Sequence, residues 1–247
     1  MSAENIPSQE EFERKKILLR KLQEEDEHLY ARFIDIFVDA MKFNYVISKS
    51  WMGIPIVKLP EDIVVLQEFY FEFKPTAVIE VGVARGGGIS LAVSLQKLNE
   101  IPPNILGIDI KIFEHTRKSL KVFEEKSYVS LLEVDSTSKL AADAIKSFCL
   151  GHHKVFAILD SNHTQEHVSK ELDILDQSLP VGSVVLVSDG IIEHLPPRED
   201  RPWGPGNNPL TAMNKFLLKS NRWQKLDNFS RRSLFSEFRD GWIIKIS

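Results

Sequence analysis

The sequence is poor in cysteine: Cys149 is alone among 247 residues, so no disulfide can form within the chain, and the "SFCL" context reads as a helix face with a buried thiol. It lacks any apolar run near the roughly 20 residues needed to span a bilayer. Its polar N-terminus has no signal-peptide core, which leads to the expectation of a cytoplasmic protein. An excess of positive charge is missing too. The net charge of −4 argues against broad electrostatic attraction to nucleic acid or to anionic membrane. Internal repeats and low-complexity tracts are absent. What is there is ordinary for a globular chain, with 43% hydrophobic and 27% charged residues, and the length suits one large domain or a domain with an extension.

Residues 8 to 42 form a charged, amphipathic helical segment. Ser8 followed by Glu11 suits a capping box, and Leu18, Leu22, Leu29, Phe33 and Phe37 recur near helical spacing. Such a helix is expected to pack on the domain or on a second copy of the chain, which makes a homo-oligomer the expected assembly. The stretch "YVISKSWMGIPIVKLPED" reads as an ordered connector, and Glu61 to Lys74 as a helix stopped before Pro75. We divide the chain into an N-terminal helical extension and connector, 1–60, and a main domain, 61–247.

Strands and helices then alternate. Strands are expected at 77–81, 104–109, 129–134, 154–159 and 183–188, with helices at 88–98, 113–125, 137–149 and 164–178. Short apolar strands of this kind imply a mostly parallel sheet covered on both faces. A further helix at 208–221 and strands at 223–229 and 241–246 close the chain, the last one antiparallel. The expectation is an α/β, Rossmann-like fold with seven strands, in the arrangement of class I methyltransferases.

In an open parallel sheet, ligands bind beyond the carboxyl ends of the strands. Each of the five strands ends at or near an acid: Glu80, Asp109, Asp135, Asp160 and Asp189. Carboxylates converging on one rim repel unless a cation or hydrogen-bond donors occupy the site. The first strand runs into "VGVARGGG", where Gly82, Arg85 and Gly86 belong to a turn that opens a helix and lets a ligand approach the backbone. A dinucleotide is one reading, but Asp109 lies beyond the roughly 20 residues that fingerprint expects. Glu80 before the turn suits a positively charged ligand such as S-adenosylmethionine; Asp109 then fits its ribose, and Asp135 with Ser136 its adenine edge.

Past the fourth strand, "LDSNHTQEHV" sets Asp160 and His163 three residues apart. With Asp189 they form a candidate hard-metal and base cluster, which Glu193 is placed to join. The loop "PPREDRPWGPGNNP" is long for a connection inside a domain and reads as a binding loop, with Trp203 and Asn207 as candidate acceptor contacts.

The motifs "SWMGIPIVKLPEDIVVLQE", "KPTAVIEVGVARGGG", "LGIDI", "LDSNHTQEHV" and "DRPWGPGNNPLTA", in this order, resemble the cephalosporin hydroxylase family over about residues 45 to 220. That family is a branch of the class I S-adenosylmethionine-dependent methyltransferases. The resemblance implies a cofactor at the glycine turn, often with a magnesium ion beside the acceptor, and a sugar or a glycosylated small molecule or glycolipid as acceptor. It places Glu80, Gly82 and Asp109 at the cofactor, Asp160 and Asp189 at the metal, and His163 as the base. One departure stands out: several relatives carry an acidic pair after the fifth strand, where this chain has Ser188-Asp189. The implied function is O-methyl transfer; the alternative is a non-catalytic cofactor-binding partner in a biosynthetic complex.

Overall fold

The computed structural model describes residues 8–247. The first seven residues of the 1–60 extension therefore lie outside the described residues. The N-terminal segment is two helices, α1 (Gln9–Glu25) and α2 (Glu27–Met41). The expected capping box is present at Ser8 and Glu11. The break at Asp26 departs from the continuous helical segment read from the pattern. The Asp26 side chain accepts a 2.8 Å bond from the Leu29 amide and so starts a new helix. Helix α1 buries none of its side chains, whereas α2 turns Tyr30, Phe33 and Phe37 inward.

The connector holds a small antiparallel hairpin, β1 (Lys49–Trp51) and β2 (Ile54–Ile56), ahead of α3 (Pro60–Phe73). It lies against α4 (Gly87–Leu98), where the Trp51 indole donates to Ser94 at 3.0 Å. This tight seat brings the next residues, up to Lys58, against the glycine turn at 82–88.

The main sheet contains β3 (Ala77–Val81), β4 (Ile105–Asp109), β5 (Val129–Glu133), β6 (Val155–Leu159), β7 (Val184–Val187), β8 (Trp223–Lys225) and β9 (Trp242–Lys245). Their order is β5-β4-β3-β6-β7-β9-β8, with β9 antiparallel to both neighbours and the first five strands parallel. The expected seven-stranded fold is therefore the one adopted. Central strands β3 and β6 are buried along their whole length, as continuous apolar runs require. The crossover helices are α5 (Glu114–Glu124), α6 (Lys139–Phe148) and α7 (Gln165–Ser178), with α8 (Pro209–Lys219) after the long loop. The expected strand at 223–229 stops at Lys225. Residues Asp227–Ser230 wind into a short helix, α9, which turns Phe229 onto Phe69 and Trp242 at 5.2 and 5.5 Å between ring centres. No helix among the described residues is long and apolar enough to cross a membrane.

Candidate functional site

The strand order reverses between β3 and β6, so the chain leaves their carboxyl ends toward opposite sides and a crevice opens above them. Gly82 sits at its floor with φ +101°, and a Cβ there would lie 2.0 Å from the Asp160 carbonyl oxygen. Only glycine allows the two strand ends to approach this closely. Beneath the turn, Glu80 is 3% exposed, and a Cβ on Gly88 would lie 2.0 Å from its Oε1. Its other oxygen, Oε2, is buried with no hydrogen-bond partner among the described residues. Burial pushes the Glu80 carboxyl up to about 7 against the opposing pull of the Lys58 ammonium. A buried acid with an idle oxygen is a receptor for a cationic group.

Two cavities meet at this point. One, of ≈ 560 Å³, runs from Gly82 past Asp109 to Asp135, Ser136 and His167. The other, of ≈ 350 Å³, is bounded by His163, Ser188, Asp189 and Glu237 on one side and by Phe37 and Met41 of α2 on the other. Gly82, Ala84, Asp160 and Ser161 line both. A ligand in the first chamber thus meets a ligand in the second at these four residues.

The expected acid–histidine cluster is assembled. Asp160, His163 and Asp189 each offer a ligand atom within 4.8 Å of the others. His163 Nδ1 is 3.7 Å from Asp189 Oδ2. Asp189 takes a left-handed conformation, φ 59°, which turns its carboxylate back toward β6. Burial raises the Asp189 carboxyl to about 6, and Asp160 adds to this both as a nearby charge and by a hydrogen bond between the two groups. Asp160 is held low: its burial is outweighed by the Lys58 ammonium and the imidazole of His163. Two half-buried carboxyls driven apart in this way titrate as a pair, and they match the needs of a hard cation with oxygen ligands. The residues present therefore fit a magnesium ion, with one carboxylate fewer than an acidic pair would supply at 188–189.

Lys58 was not singled out from the sequence. It is 4% exposed, and its ammonium lies 3.1 Å from Asp160 Oδ2. Burial works to discharge it, but the carboxylates of Asp160 and Glu80 outweigh that and keep it charged. A lysine inside the apolar run "IPIVKLP" was the available signal. Glu237, from the loop before β9, is a second such residue; burial and the facing Asp189 hold its carboxyl well above the usual range.

Other expected site residues are placed differently. Glu193 is a correction. Its Oε2 accepts from the Asn208 amide at 2.5 Å, the Gly206 amide at 3.1 Å and the Thr211 hydroxyl at 2.9 Å, so it braces the loop onto α8 and stands outside the metal cluster. Asn207 is another: it accepts from the Gln165 amide at 3.0 Å and donates to the Pro202 carbonyl at 2.7 Å, fixing loop to α7 instead of facing the chamber. Trp203 does line the larger cavity, edge-on to His163 at 5.1 Å, with its indole N–H buried and without a partner among the described residues. Asp109 accepts from the Val83 and Ala84 amides at 2.8 and 3.0 Å and from the Lys111 amide at 3.0 Å, so it shapes the turn as well as facing the cavity. Asp135 is tied to Thr137 through Oδ1. Arg85 reaches out to His115 at 2.7 Å, and Gly86, φ +88°, starts α4.

A sequence profile describing rhamnosyl O-methyltransferases and CmcI matches residues 43–246, most of the chain. The chain belongs to the rhamnosyl O-methyltransferase/CmcI family. It is 29% identical over 143 residues to a rhamnosyl O-methyltransferase of Mycobacterium leprae, covering 58% of this chain and 60% of that one. With the Mycobacterium bovis rhamnosyl O-methyltransferase it shares 30% over 156 residues, 62% of each chain. The match thus spans about three fifths of the length of these curated relatives. Among solved structures, the fold of this family member is similar to CmcI with Mg and SAM (TM-score 0.58, 15% identity, 81% of this chain and 78% of that). It is also similar to the SAH-bound Podospora anserina methyltransferase (TM-score 0.52, 14% identity, 90% and 92%). These likenesses establish the class I methyltransferase fold.

Proposed function

We propose that the protein is an S-adenosylmethionine-dependent O-methyltransferase acting on a hydroxyl of a sugar or of a glycosylated small molecule or glycolipid. The observation that carries this reading is the buried Glu80 carboxyl with its idle Oε2 beneath the glycine turn, which suits the cationic amino-acid end of that cofactor. The family's named rhamnosyl O-methyltransferases support the acceptor class. Lys58, beside Glu80 and Asp160, offers a cation to the cofactor's carboxylate.

With the cofactor bound, its sulfonium methyl is the electrophile. The second chamber would hold the acceptor, with its hydroxyl toward Asp160 and His163. His163 would take the hydroxyl proton, and the bound cofactor would supply the methyl group to the oxygen, its carbon–sulfur bond giving way to the methyl ether and S-adenosylhomocysteine. Asp160 and Asp189 would hold a magnesium ion, whose positive field favours the developing alkoxide. The N-terminal extension contributes the apolar wall of this chamber through Phe37, Met41, Val46 and Val57. We read the apolar side chains that α1 leaves exposed, Leu18, Leu19 and Leu22 among them, as a contact with a second copy in a cytoplasmic homo-oligomer.

The test is calorimetry with S-adenosylmethionine and S-adenosylhomocysteine, followed by labelled-methyl transfer to rhamnosides in the presence of magnesium. His163→Ala should keep cofactor affinity and lower turnover by about 10² to 10⁴. Absence of cofactor binding would overturn the reading. Cofactor binding without methyl transfer to any hydroxyl acceptor would favour the non-catalytic partner, to which Ser188 in place of an acid lends some support.

A further inference from the structure

The end of the larger cavity at Asp135 and Ser136 backs onto a buried network centred on Glu171. Glu171 of α7 is 2% exposed. Its Oε1 accepts from the Ser136 hydroxyl and from the Ser161 hydroxyl, both at 2.6 Å. The imidazole of His167, one helical turn earlier on the same face, brings Nε2 to 3.2 Å from the same oxygen and 3.0 Å from Ser136 Oγ. Ser136 has one hydroxyl proton, and it goes to Glu171. The contact between Ser136 Oγ and His167 Nε2 is a hydrogen bond only if Nε2 carries the proton.

The tautomer is therefore fixed by geometry. In the neutral ring Nε2–H faces the network, and Nδ1 is left with a lone pair and no partner among the described residues; the bond to the Glu171 carboxylate also raises the ring's pKa above its ordinary value, so this form belongs to the alkaline side. The ring is 24% exposed and lines the cavity beside Asp135 and Ser136. Glu171 in turn joins the turn after β5, through Ser136, to the turn after β6, through Ser161. A buried carboxylate at the meeting point of two loops and a helix holds the imidazole in one orientation.

We propose that His167 is a binding residue for the purine base of the cofactor, accepting a hydrogen bond at Nδ1 from the exocyclic amino group, and that Glu171 is the positioning residue that sets its tautomer. The inference rests on the reading that this cavity holds S-adenosylmethionine. It adds a selectivity: a base with an oxo group in place of the amino group presents an acceptor to an acceptor and is refused. The refusal is worth on the order of tenfold in affinity, the equivalent of one lost hydrogen bond with a polar atom left unpaired.

The experiment compares S-adenosylhomocysteine with S-inosylhomocysteine by calorimetry at about pH 8.5, on the alkaline side because Glu171 raises the pKa of His167 above the ordinary imidazole value. The wild-type chain should prefer the adenine compound by about tenfold or more. His167→Ala should bring the two affinities together, Glu171→Gln should narrow the gap, and His167→Gln, whose side-chain carbonyl can accept, should restore part of it. Should the alanine variant fail to fold, ring-nitrogen NMR of the wild-type chain gives the same answer, through a shift of His167 Nδ1 on adding S-adenosylhomocysteine. An undiminished preference in a folded His167→Ala, or an Nδ1 resonance that ignores the ligand, overturns the inference while leaving the cofactor reading intact. No binding of S-adenosylhomocysteine by the wild-type chain overturns the cofactor reading and this inference with it.

Discussion

At Glu80, one side chain carries a consequence for binding that can be measured without knowing the acceptor. Its carboxyl is raised to about 7 because burial penalises the anion more than Lys58 favours it. A bound ammonium group would add a second cation at contact distance and pull that value down. Cofactor binding should then expel a proton from Glu80 wherever the free protein still holds it. Affinity for S-adenosylhomocysteine should climb from about pH 6 toward the raised value near 7, and calorimetry at about pH 6.5 in buffers of different ionisation heat should register proton release. Glu80→Gln should bind more weakly and release nothing. A flat affinity and no proton release in the wild-type protein would separate Glu80 from the ligand.

At the scale of elements, the turn Gly190–His194 and helix α8 are joined by Glu193, which takes three donors from the loop and helix beside it. Asn208 both donates to Glu193 and caps α8 by accepting from the Thr211 amide at 3.0 Å. Removing the charge from Glu193 leaves those donors poorly matched, at a cost of about 1 to 3 kcal/mol. Glu193→Gln should lower the melting temperature and leave the magnesium concentration needed for methyl transfer unchanged. Asp189→Asn should show the opposite, a higher magnesium requirement. If Glu193→Gln raises the magnesium requirement with an unaltered melting temperature, Glu193 is a ligand after all.

Across the whole molecule, one aromatic cluster ties the first helix of the main domain to the last strand. Trp242 is fully buried and stacks on Phe156 at 5.7 Å, with Phe69 at 4.9 Å and Phe229 at 5.5 Å. Trp242→Ala leaves a cavity that its rigid neighbours cannot fill and should cost about 3 to 5 kcal/mol of unfolding free energy. Urea denaturation checks it, and a loss under about 1 kcal/mol would show that the cluster collapses around the gap. Because β9 lies beside β7, which ends at the site, weakened packing there should also loosen Asp189.

The parallel strands and the acids at their ends were legible because a strand buried on both faces must be a short apolar run, and the polar residue that stops it must emerge at the rim. Asp160 and Asp189 are legible that way, His163 by its spacing three residues after Asp160, and Glu80 as an acid at the end of an apolar strand that the fold buries beneath the turn; all four border the same crevice. The break at Asp26 was less legible, since helical spacing continues across it. What pairs with what was decided by the fold alone. Lys58 meets Asp160 across 102 positions of sequence, and Ser136 meets Glu171 across 35. Those contacts exist because β5, β4, β3 and β6 pair out of chain order, which sets remote turns side by side. Glu193 and Asn207 lie near the cluster in sequence, yet the nearest donors and acceptors claim their side chains first. Local pattern determines which residues reach the rim, and strand order determines which of them touch.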